Sequence, residues 1–415
     1  MPQVKPDIET FAKIKVVGVG GSGGSAVDRM VKAGIRGVDF IAMNTDVQAL
    51  HHNTASHKLH IGKTVTRGLG AGMNPEQGKR SAEESQNEIR EMLKDADMVF
   101  VTCGLGGGTG SGASPIIASI AREIGALTVG VVTKPFSFEG PQRCSIADEA
   151  HDELADHVDT IITIPNDRVL QIIDKKTPLL EAFKIVDDVL RQGVQGISEL
   201  ITVPGLVNVD FADVKAIMQD TGSALMGIGI GTGETRTVDA AQAAISSPLL
   251  EVSIDGARGI LFTITGGPSL GMQEVSEAAK VITSSADEDV RVIFGAVIDE
   301  NMGDDVRVTV IATGFDEEKE RRRSFKHEDD VRSSDLGPKK TSFSSGIFTK
   351  KIFSSGTDQR SDAGQKDTQV TLRTQHTMGG GQDIGTSVPS QRSRPQPEED
   401  DLEIPAFIRK KMIGK

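Results

Sequence analysis

The sequence predicts an α/β protein with a parallel sheet, a long central helix, a second α+β domain and a disordered C-terminal tail. Three observations support this fold class. Short apolar runs alternate with helical patterns in the first part of the chain, as in βαβ units. One apolar helix face is then sustained from Pro178 to Thr202. Beyond residue 317, apolar residues become too sparse to form a core.

Composition limits the class of protein. The chain of 415 residues has a net charge of −13, which argues against nucleic-acid binding through a basic surface. Its two cysteines, Cys103 and Cys144, are too few for a disulfide framework and suggest a reducing compartment. The first residues lack the apolar segment of a signal peptide, and the longest uncharged stretch, from Met98 to Ala121, is too rich in glycine to span a membrane. We therefore expect a cytoplasmic protein with no direct membrane insertion.

The first predicted domain covers residues 12–177 and follows a flexible N-terminus at residues 1–11. Its predicted strands are residues 14–19, 38–43, 98–103, 127–133 and 160–164, with helical patterns between them. A helix is expected from Ser25 to Ala33 and another from about Ser114. Because helices separate the strands, the pattern predicts a Rossmann-like parallel sheet with both faces covered.

The second predicted domain covers residues 203–317 and follows the central helix at residues 178–202. Pro178 suits the first turn of that helix, and Pro204 prevents the helix from continuing. Further helices are predicted at residues 214–218, 239–245 and 271–285, and strands at 259–265, 290–298 and 306–313. This mixture predicts a smaller α+β domain.

The tail has two predicted parts, a disordered linker at residues 318–399 and a terminal peptide at 400–415. Only 12 of the 82 linker residues are Leu, Ile, Val or Phe, which is too few to bury a core. The tail is mildly basic and the rest of the chain is acidic, which leaves open a solvated tail or one that contacts partners. The stretch Asp401–Lys411 mixes acidic, apolar and basic residues, as expected of a motif that folds in a partner's groove.

A first glycine cluster follows the first predicted strand and opens a helix. It runs from Gly18 to Ser25 and contains the pattern GxGxxG, with Asp46 at the end of the second strand. Bare glycines let backbone N–H groups approach a phosphate at a helix N-terminus. The pattern alone allows a dinucleotide site or a tight turn without a ligand.

A second glycine cluster, Gly104–Gly112, follows another predicted strand. Six glycines in nine residues are costly in a purely structural loop because of their conformational entropy. Two such clusters on one sheet imply two phosphate contacts, whereas a dinucleotide enzyme needs one. The pattern GxxxxGK[ST] is absent around Gly62-Lys63-Thr64, because His57 stands where the first glycine is required.

The residues Gly106–Gly112, GGGTGSG, resemble the signature of the tubulin/FtsZ family, whose FtsZ members act in bacterial cell division. Further matching stretches are NTD (44–46), GLGAGMNPEQG (68–78), TKPFSFEG (133–140), IPND (164–167), NVDFAD (208–213), ISSPLL (245–250) and DLEIPAFIRKK (401–411). The resemblance covers residues 12 to about 315 and the terminal peptide. It implies that the first domain is a GTPase domain.

The resemblance also implies a GTP site. Its residues would be Gly20, Gly21, Ser22, Gly23, Gly24 and Ser25; Ala71, Gly72 and Asn74; Gly106, Gly107, Gly108, Thr109 and Gly110; and Glu139, Arg143, Asn166 and Asp187. The glycine loops would line the phosphates, with residues 71–74 near the γ-phosphate. Glu139 and Arg143 would meet the ribose or phosphate end. Asn166 and Asp187 would read guanine, with Asp188 as the alternative, and Ser25 replaces the Asn common at its position. Mg²⁺ is expected on the phosphates.

Asp210 and Asp213 allow two interpretations. On the residues alone they are typical of a helix N-cap followed by an acid in the first turn. The resemblance instead implies that they act, with Asn208, on GTP bound by the next subunit of a head-to-tail homopolymer. Each subunit would then hold half a site, so hydrolysis would require assembly.

The resemblance implies a cytoplasmic protein at the division site, with Asp401–Lys411 binding membrane-tethering and regulatory division proteins. Two other functions remain open. An NAD-dependent oxidoreductase could use the first glycine cluster, but would leave Gly106–Gly112 unexplained. A scaffold could bind GTP and assemble without hydrolysing it.

Overall fold

A computed structural model describes residues 12–315, except residues 172, 174, 175, 204–206, 208, 249, 251–253, 255 and 288. The predicted flexible N-terminus, the linker at 318–399 and the terminal peptide at 400–415 lie outside the described residues. So does the predicted catalytic residue Asn208.

Ten strands form one sheet within this part of the chain. They are β1 (Ile14–Val19), β2 (Val38–Asn44), β3 (His57–His60), β4 (Met98–Gly104), β5 (Leu127–Lys134), β6 (Thr160–Pro165), β7 (Gly222–Gly231), β8 (Gly259–Gly266), β9 (Arg291–Ile298) and β10 (Val306–Thr313). Their order is β3-β2-β1-β4-β5-β6-β7-β10-β8-β9. Strands β1 to β6 are parallel to their neighbours, whereas β10 is antiparallel to β7 and β8. The predicted α/β class with a parallel-sheet first domain is confirmed.

The described helices connect and cover these strands. They are α1 (Gly20–Lys32), α2 (Val47–His52), α3 (Lys63–Thr66), α4 (Pro75–Glu84), α5 (Gln86–Leu93), α6 (Gly108–Glu123), α7 (Pro141–Ala155), α8 (Asn166–Val169), α9 (Leu179–Thr202), α10 (Phe211–Met218), α11 (Arg236–Ile245) and α12 (Met272–Thr283). None of them is both long enough and apolar enough to cross a membrane.

The parallel strands bury both faces because their side chains alternate between two cores. Val16 packs in one core with Met30 of α1 and Leu190 of α9. Its neighbour Val17 packs in the other core with Ile117 of α6. Continuously apolar strands in the sequence are therefore the expected signature of this central sheet.

The long helix α9 runs in the direction opposite to the parallel strands. In its first half, Asp187 pairs with Arg29 of α1. At its end, the Thr202 hydroxyl donates to the Arg36 carbonyl, 3.4 Å away, just before β2 begins. The helix therefore leads the chain from the carboxyl ends of the strands to their amino ends, where β7 pairs with the first residues of β6.

Both glycine clusters differ from their predicted structure. Helix α1 begins at Gly20 instead of Ser25, and α6 begins at Gly108 instead of near Ser114, with Pro115 inside it. Low helix propensity predicted loops there. Tertiary contact decides otherwise, because close backbone contacts at Gly20, Gly23 and Gly108 leave little room for side chains where the two helices begin.

Strand β7 was not predicted, although it links the two halves of the sheet. Its sequence GSALMGIGIG has glycine at 227, 229 and 231. A side chain at any of these three positions would lie about 2.0 Å from a backbone carbonyl of α11. The glycines reflect close packing of helix on strand, so β-propensity gives no signal there.

Candidate functional site

The two glycine loops meet at the point where the strand order reverses. β1 lies between β2 and β4, so the chain leaves the carboxyl ends of β1 and β4 on either side of a crevice. Ligands of open parallel sheets bind in such crevices. The helices that follow, α1 and α6, both direct their N-termini to this edge, where backbone N–H groups and the helix dipoles favour an anion.

The starts of α1 and α6 touch each other. A Cβ on Gly20, which has a φ of 74°, would lie 3.0 Å from the Gly110 nitrogen. The Gly104 N–H donates to the Ser22 hydroxyl at 2.9 Å, and the hydroxyls of Thr45 and Thr109 lie 2.6 Å apart. The first two contacts join the two loops, and the third ties the start of α6 to the residue after β2.

The glycines of the two loops fall into two classes. A Cβ on Gly23 would lie 2.3 Å from the Thr102 carbonyl, and one on Gly108 would lie 2.7 Å from the Asn74 nitrogen, so packing forbids side chains there. A Cβ on Gly21 or Gly107 would meet nothing within 4 Å. At these two positions the protein's own packing does not require glycine. Their open backbone suits a ligand that approaches closely.

The predicted γ-phosphate loop lies against the second glycine loop. The atoms nearest to a Cβ on Gly108 belong to Ala71 and Asn74. A Cβ on Gly72 would meet no atom within 4 Å, and Gly72 has a φ of 57°. The Asn74 side chain accepts from the Glu76 N–H at 3.0 Å and so caps α4. Ala71, Gly72 and Asn74 are thus brought to the site.

The start of α7 closes another side of the second loop. A Cβ on Gly106 would lie 2.7 Å from the Arg143 carbonyl oxygen. The Arg143 guanidinium pairs with Glu139 at 2.6 Å, and Glu139 also accepts from the Phe136 N–H at 3.0 Å. Both predicted residues are therefore held beside the glycine loop, and the Arg143 Nε is buried without a partner.

The predicted base-reading residues lie on α8 and α9. Asn166 follows β6, is 7% exposed, and has no partner for its Oδ1. Asp187 pairs with the Arg29 Nε at 2.9 Å. Its neighbour Asp188 is engaged on its own helix by Arg191 and Gln192. Asp187 therefore faces Arg29 of α1, whereas Asp188 is bonded along α9.

Burial raises the pKa of Asp187 to about 6, against the opposing effect of the Arg29 charge. A partly buried carboxylate is costly to ionise unless donors compensate it. The N1–H and 2-amino groups of guanine are such donors.

Sequence reasoning missed two residues at this end of the site. Arg29 offers donors beside the Asp187 acceptors, which complements a base carrying both a carbonyl and N–H groups. Phe183 is 38% exposed and lies four residues before Asp187, on the same helix face, where a base can stack on it. Spacing along the predicted helix could have indicated Phe183, but nothing local indicates Arg29.

The remaining predicted residues, Gly24 and Ser25, border a cavity of about 290 Å³. It is also lined by Gly20, Gly21 and Asn44, but not by Asn166 or Asp187. The Ser25 hydroxyl donates to the Gly21 carbonyl at 3.1 Å, within its own helix. Asp46 accepts from the N–H groups of Gln48 and Ala49, so its carboxylate caps α2.

Asp210 and Asp213 are not brought to the glycine loops. Their segment begins after Thr202, at the amino end of β2, and ends at Met218, whose carbonyl accepts from Thr160 at the amino end of β6. Both carboxylates are exposed, and Asp210 caps α10 by accepting from the Ala212 N–H at 3.2 Å. Strands of six to eight residues separate the two edges by roughly 20 Å.

Comparison with known proteins agrees with this geometry. Residues 13–174 match the tubulin/FtsZ family, GTPase domain, and residues 222–316 match the FtsZ family, C-terminal domain. FtsZ from the archaeon M. jannaschii, solved as an empty dimer, is 48% identical, with a TM-score of 0.71 over 74% of this chain and 89% of that chain.

The chain belongs to the tubulin/FtsZ family.

Its first domain is accordingly a GTPase domain, and the protein is a GTPase that binds GTP. CetZ2 from Haloferax volcanii, solved as a GTPγS-bound protofilament, shares the fold at 21% identity and a TM-score of 0.63, over 77% of this chain and 99% of that chain.

We expect Gly21→Ala to weaken GTP binding without harming the fold. Its Cβ meets no protein atom, and alanine in place of glycine favours a helix by roughly 0.5–1 kcal/mol. The methyl group would stand where a phosphate approaches the backbone, so affinity should fall at least about tenfold, or 1.4 kcal/mol. Equilibrium binding of a fluorescent GTP analogue and thermal unfolding measure both effects.

The matched control for that variant is Gly23→Ala, whose Cβ would overlap the Thr102 carbonyl. Overpacking should destabilise it by about 1–3 kcal/mol. Normal GTP affinity in Gly21→Ala would mean that Gly21 does not contact the phosphates.

We expect GTP affinity to depend on pH through Asp187. Only the ionised carboxylate accepts from guanine, and its pKa is about 6, so affinity should fall about tenfold between pH 7.5 and 5. Asp187→Asn should bind GTP weakly at pH 7.5 and should lack the fall in affinity that protonation of Asp187 causes. Titration of the phosphates affects both proteins equally, so the ratio of their affinities isolates Asp187.

The stability of the GTP-free protein should respond to pH in the opposite direction to GTP affinity, rising as the pH falls. The folded pKa of Asp187 is above its unfolded value, so its contribution to stability is greatest below the unfolded pKa and is lost as pH rises through 6. Relative to Asp187→Asn, the wild type should gain unfolding free energy between pH 7 and 5. A constant difference would contradict a raised pKa.

Proposed function

We propose that this chain is a polymerising GTPase of bacterial cell division that hydrolyses GTP between head-to-tail subunits. The observation that carries the proposal is the separation of the two predicted half-sites. The glycine loops lie at the carboxyl ends of the parallel strands, and the segment of Asp210 and Asp213 begins and ends at their amino ends. One chain does not bring them together, but a second copy stacked along the strand direction would.

Such a contact joins two different surfaces, so it repeats without closing and gives a filament. The surface around the glycine loops is suited to contact. Large apolar side chains are exposed there: Leu69 and Met73 before α4, Phe138 after β5 and Leu180 at the start of α9. Several exposed apolar side chains on the same edge as a polar site are typical of an interface. The dimer of the M. jannaschii relative also favours self-association.

The chemistry proposed for the junction is modest. Phosphoryl transfer is accelerated mainly by positioning and by charge stabilisation. Helix dipoles and bare N–H groups at Gly21 and Gly107 would stabilise the phosphates, and Asp210 and Asp213 of the next subunit would orient the attacking water. Asn208 would assist them.

Mg²⁺ remains a proposal. Among the described residues, no group of three or more His, Cys, Asp or Glu is placed to hold a metal ion. Mg²⁺ in nucleotide sites is held largely by substrate phosphates and water. We therefore assign it to the GTP phosphates, where it would neutralise developing charge, and assign no side chain of this chain to it.

The terminal peptide completes the proposal, although it lies outside the described residues. Asp401–Lys411 would dock with membrane-tethering and regulatory division proteins, which would place the filament in the cytoplasm at the division site. A linker of this length raises the local concentration of the motif without fixing its geometry.

Neither alternative gains support from the described contacts. An NAD-dependent oxidoreductase would use Asp46 as a ribose acceptor, but that carboxylate caps α2. A scaffold that binds GTP without hydrolysing it disagrees with membership in a family of GTPases, and variants of the two carboxylates can test it directly.

We expect the GTPase rate per subunit to rise steeply above a threshold protein concentration, because each site is completed by a neighbour. Asp213→Ala should bind GTP normally and lose about hundredfold or more in turnover. Phosphate release from GTP measures this, with ATP as the substrate control and Glu277→Ala, an exposed carboxylate on α12, as the matched variant. A rate per subunit that stays flat with concentration would mean that one chain contains the whole site.

We expect Asp210→Asn to separate capping from catalysis. Asparagine caps helices about as well as aspartate, so stability should change by less than about 0.5 kcal/mol. Turnover should nevertheless fall at least about tenfold, because the charge that orients water is lost. Unchanged turnover in this variant would leave Asp210 as a helix cap only.

A further inference from the structure

Helix α6 links the two edges of the sheet. It begins at the second glycine loop and ends at Glu123, just before the turn into β5. Its 16 residues span about 24 Å. Its N-terminus therefore belongs to the subunit's own GTP pocket, and its last turn lies at the amino edge, where α10 ends.

Arg122, in that last turn, contacts the turn that follows α10. Its Nη2 donates to the Asp220 Oδ1 at 2.6 Å and lies 3.6 Å from the Asp159 Oδ1. Asp159 is 6% exposed and is fixed by the Thr128 N–H, which donates to its Oδ2 at 2.8 Å. Arg122 thus joins Asp220 to a buried, fixed carboxylate of the first domain.

Asp220 occupies a special backbone conformation. Its φ is 53°, in the left-handed region that residues other than glycine seldom adopt. The adjacent residues are held as well, because the Met218 carbonyl accepts from the hydroxyls of Thr160 and Thr221. These bonds hold the turn after α10 at Met218, and Arg122 ties its exposed corner, Asp220, to the first domain.

We propose that Arg122 is a positioning residue for hydrolysis, which holds Asp220 and thereby fixes the direction in which α10 presents Asp210 and Asp213 to the next subunit. The inference rests on the proposed function, because it gives those carboxylates a role in the neighbour's pocket. Helix α6 then joins two half-sites in one subunit, with its N-terminus at one junction and Arg122 at the other.

Stability and turnover should respond differently to the loss of this pair. Arg122 and Asp220 are both partly exposed, and such ion pairs contribute little to stability. Geometry at a reacting centre is far more sensitive, since a displacement of about 1 Å can cost up to hundredfold in rate. A residue that only supported the fold would lower both together.

The variants are Arg122→Gln, Arg122→Lys and Asp220→Asn in the full chain. Asparagine tolerates the left-handed conformation, so Asp220→Asn removes the charge and keeps the turn. The matched control is Glu123→Gln, on the same turn of α6 as Arg122. This change breaks a 2.5 Å ion pair with Arg90 of α5 but leaves α10 untouched.

We expect Arg122→Gln and Asp220→Asn to keep GTP affinity within about twofold and to lose roughly tenfold in turnover at saturating protein concentration. Arg122→Lys, which keeps a cation, should recover part of the rate, and Glu123→Gln should match the wild type. Weakened GTP binding, or an equal loss in the control, would overturn the inference.

Mixing subunits gives a second test. Arg122→Gln subunits have an intact pocket, and subunits with both Gly21→Ala and Asp187→Ala have an intact α10. In the mixture, some junctions join the intact pocket of an Arg122→Gln subunit to the intact α10 of a double-variant subunit. The mixture should therefore turn over GTP faster than either variant alone. No gain on mixing would overturn the positioning role.

The two proposals fail separately. If Asp213→Ala abolishes turnover but Arg122→Gln does not change it, only the inference about Arg122 is wrong. If Asp213→Ala itself keeps full turnover, the proposed junction is wrong and the role of Arg122 falls with it.

Discussion

The contact between the starts of α1 and α6 is the constraint on which the rest of the site depends. Both helices begin at the carboxyl edge with glycine, and a Cβ on Gly20 would already reach the backbone of Gly110. The same lack of side chains lets residues 71–74 and the start of α7 close on Gly106 and Gly108. Two helix dipoles then converge on one crevice, where they favour a polyanion. Side chains at these positions would separate the loops and disperse that field.

The polarity of the parallel sheet has an equally direct consequence for hydrolysis. Parallel strands have one carboxyl edge, so every loop that follows a strand meets there. The chain returns along α9 to the opposite edge, and α10 begins there with Asp210 and Asp213. A fold of this kind separates phosphate binding from the proposed water-orienting carboxylates by the length of its strands. In the proposed assembly, a second copy would supply the carboxylates to the glycine loops, and hydrolysis would be coupled to contact between subunits.

Opposing effects act on Asp187 at the predicted base-reading end of the site. Burial between α1 and α9 raises the pKa of Asp187, whereas the Arg29 guanidinium lowers it. Guanine would bring its own donors to the carboxylate and so favour the ionised form. The unpartnered Oδ1 of Asn166 is a further acceptor aimed at no protein group. Buried polar atoms without partners are uncommon in folded proteins, and the predicted guanine contact would give this oxygen a donor.

Sequence alone determined the central strands, the span of α9 and the positions of both glycine clusters, because apolar periodicity and glycine runs are local signals. The resemblance of GGGTGSG supplied the family and the candidate residues of the site. Only tertiary structure decided that the glycine clusters are helical from Gly20 and Gly108, that β7 exists, and that Arg29 faces Asp187. It also decided that Asp210 lies at the edge opposite the glycine loops. These features arise from contacts between residues far apart in the chain, where close backbone packing overrides local propensity.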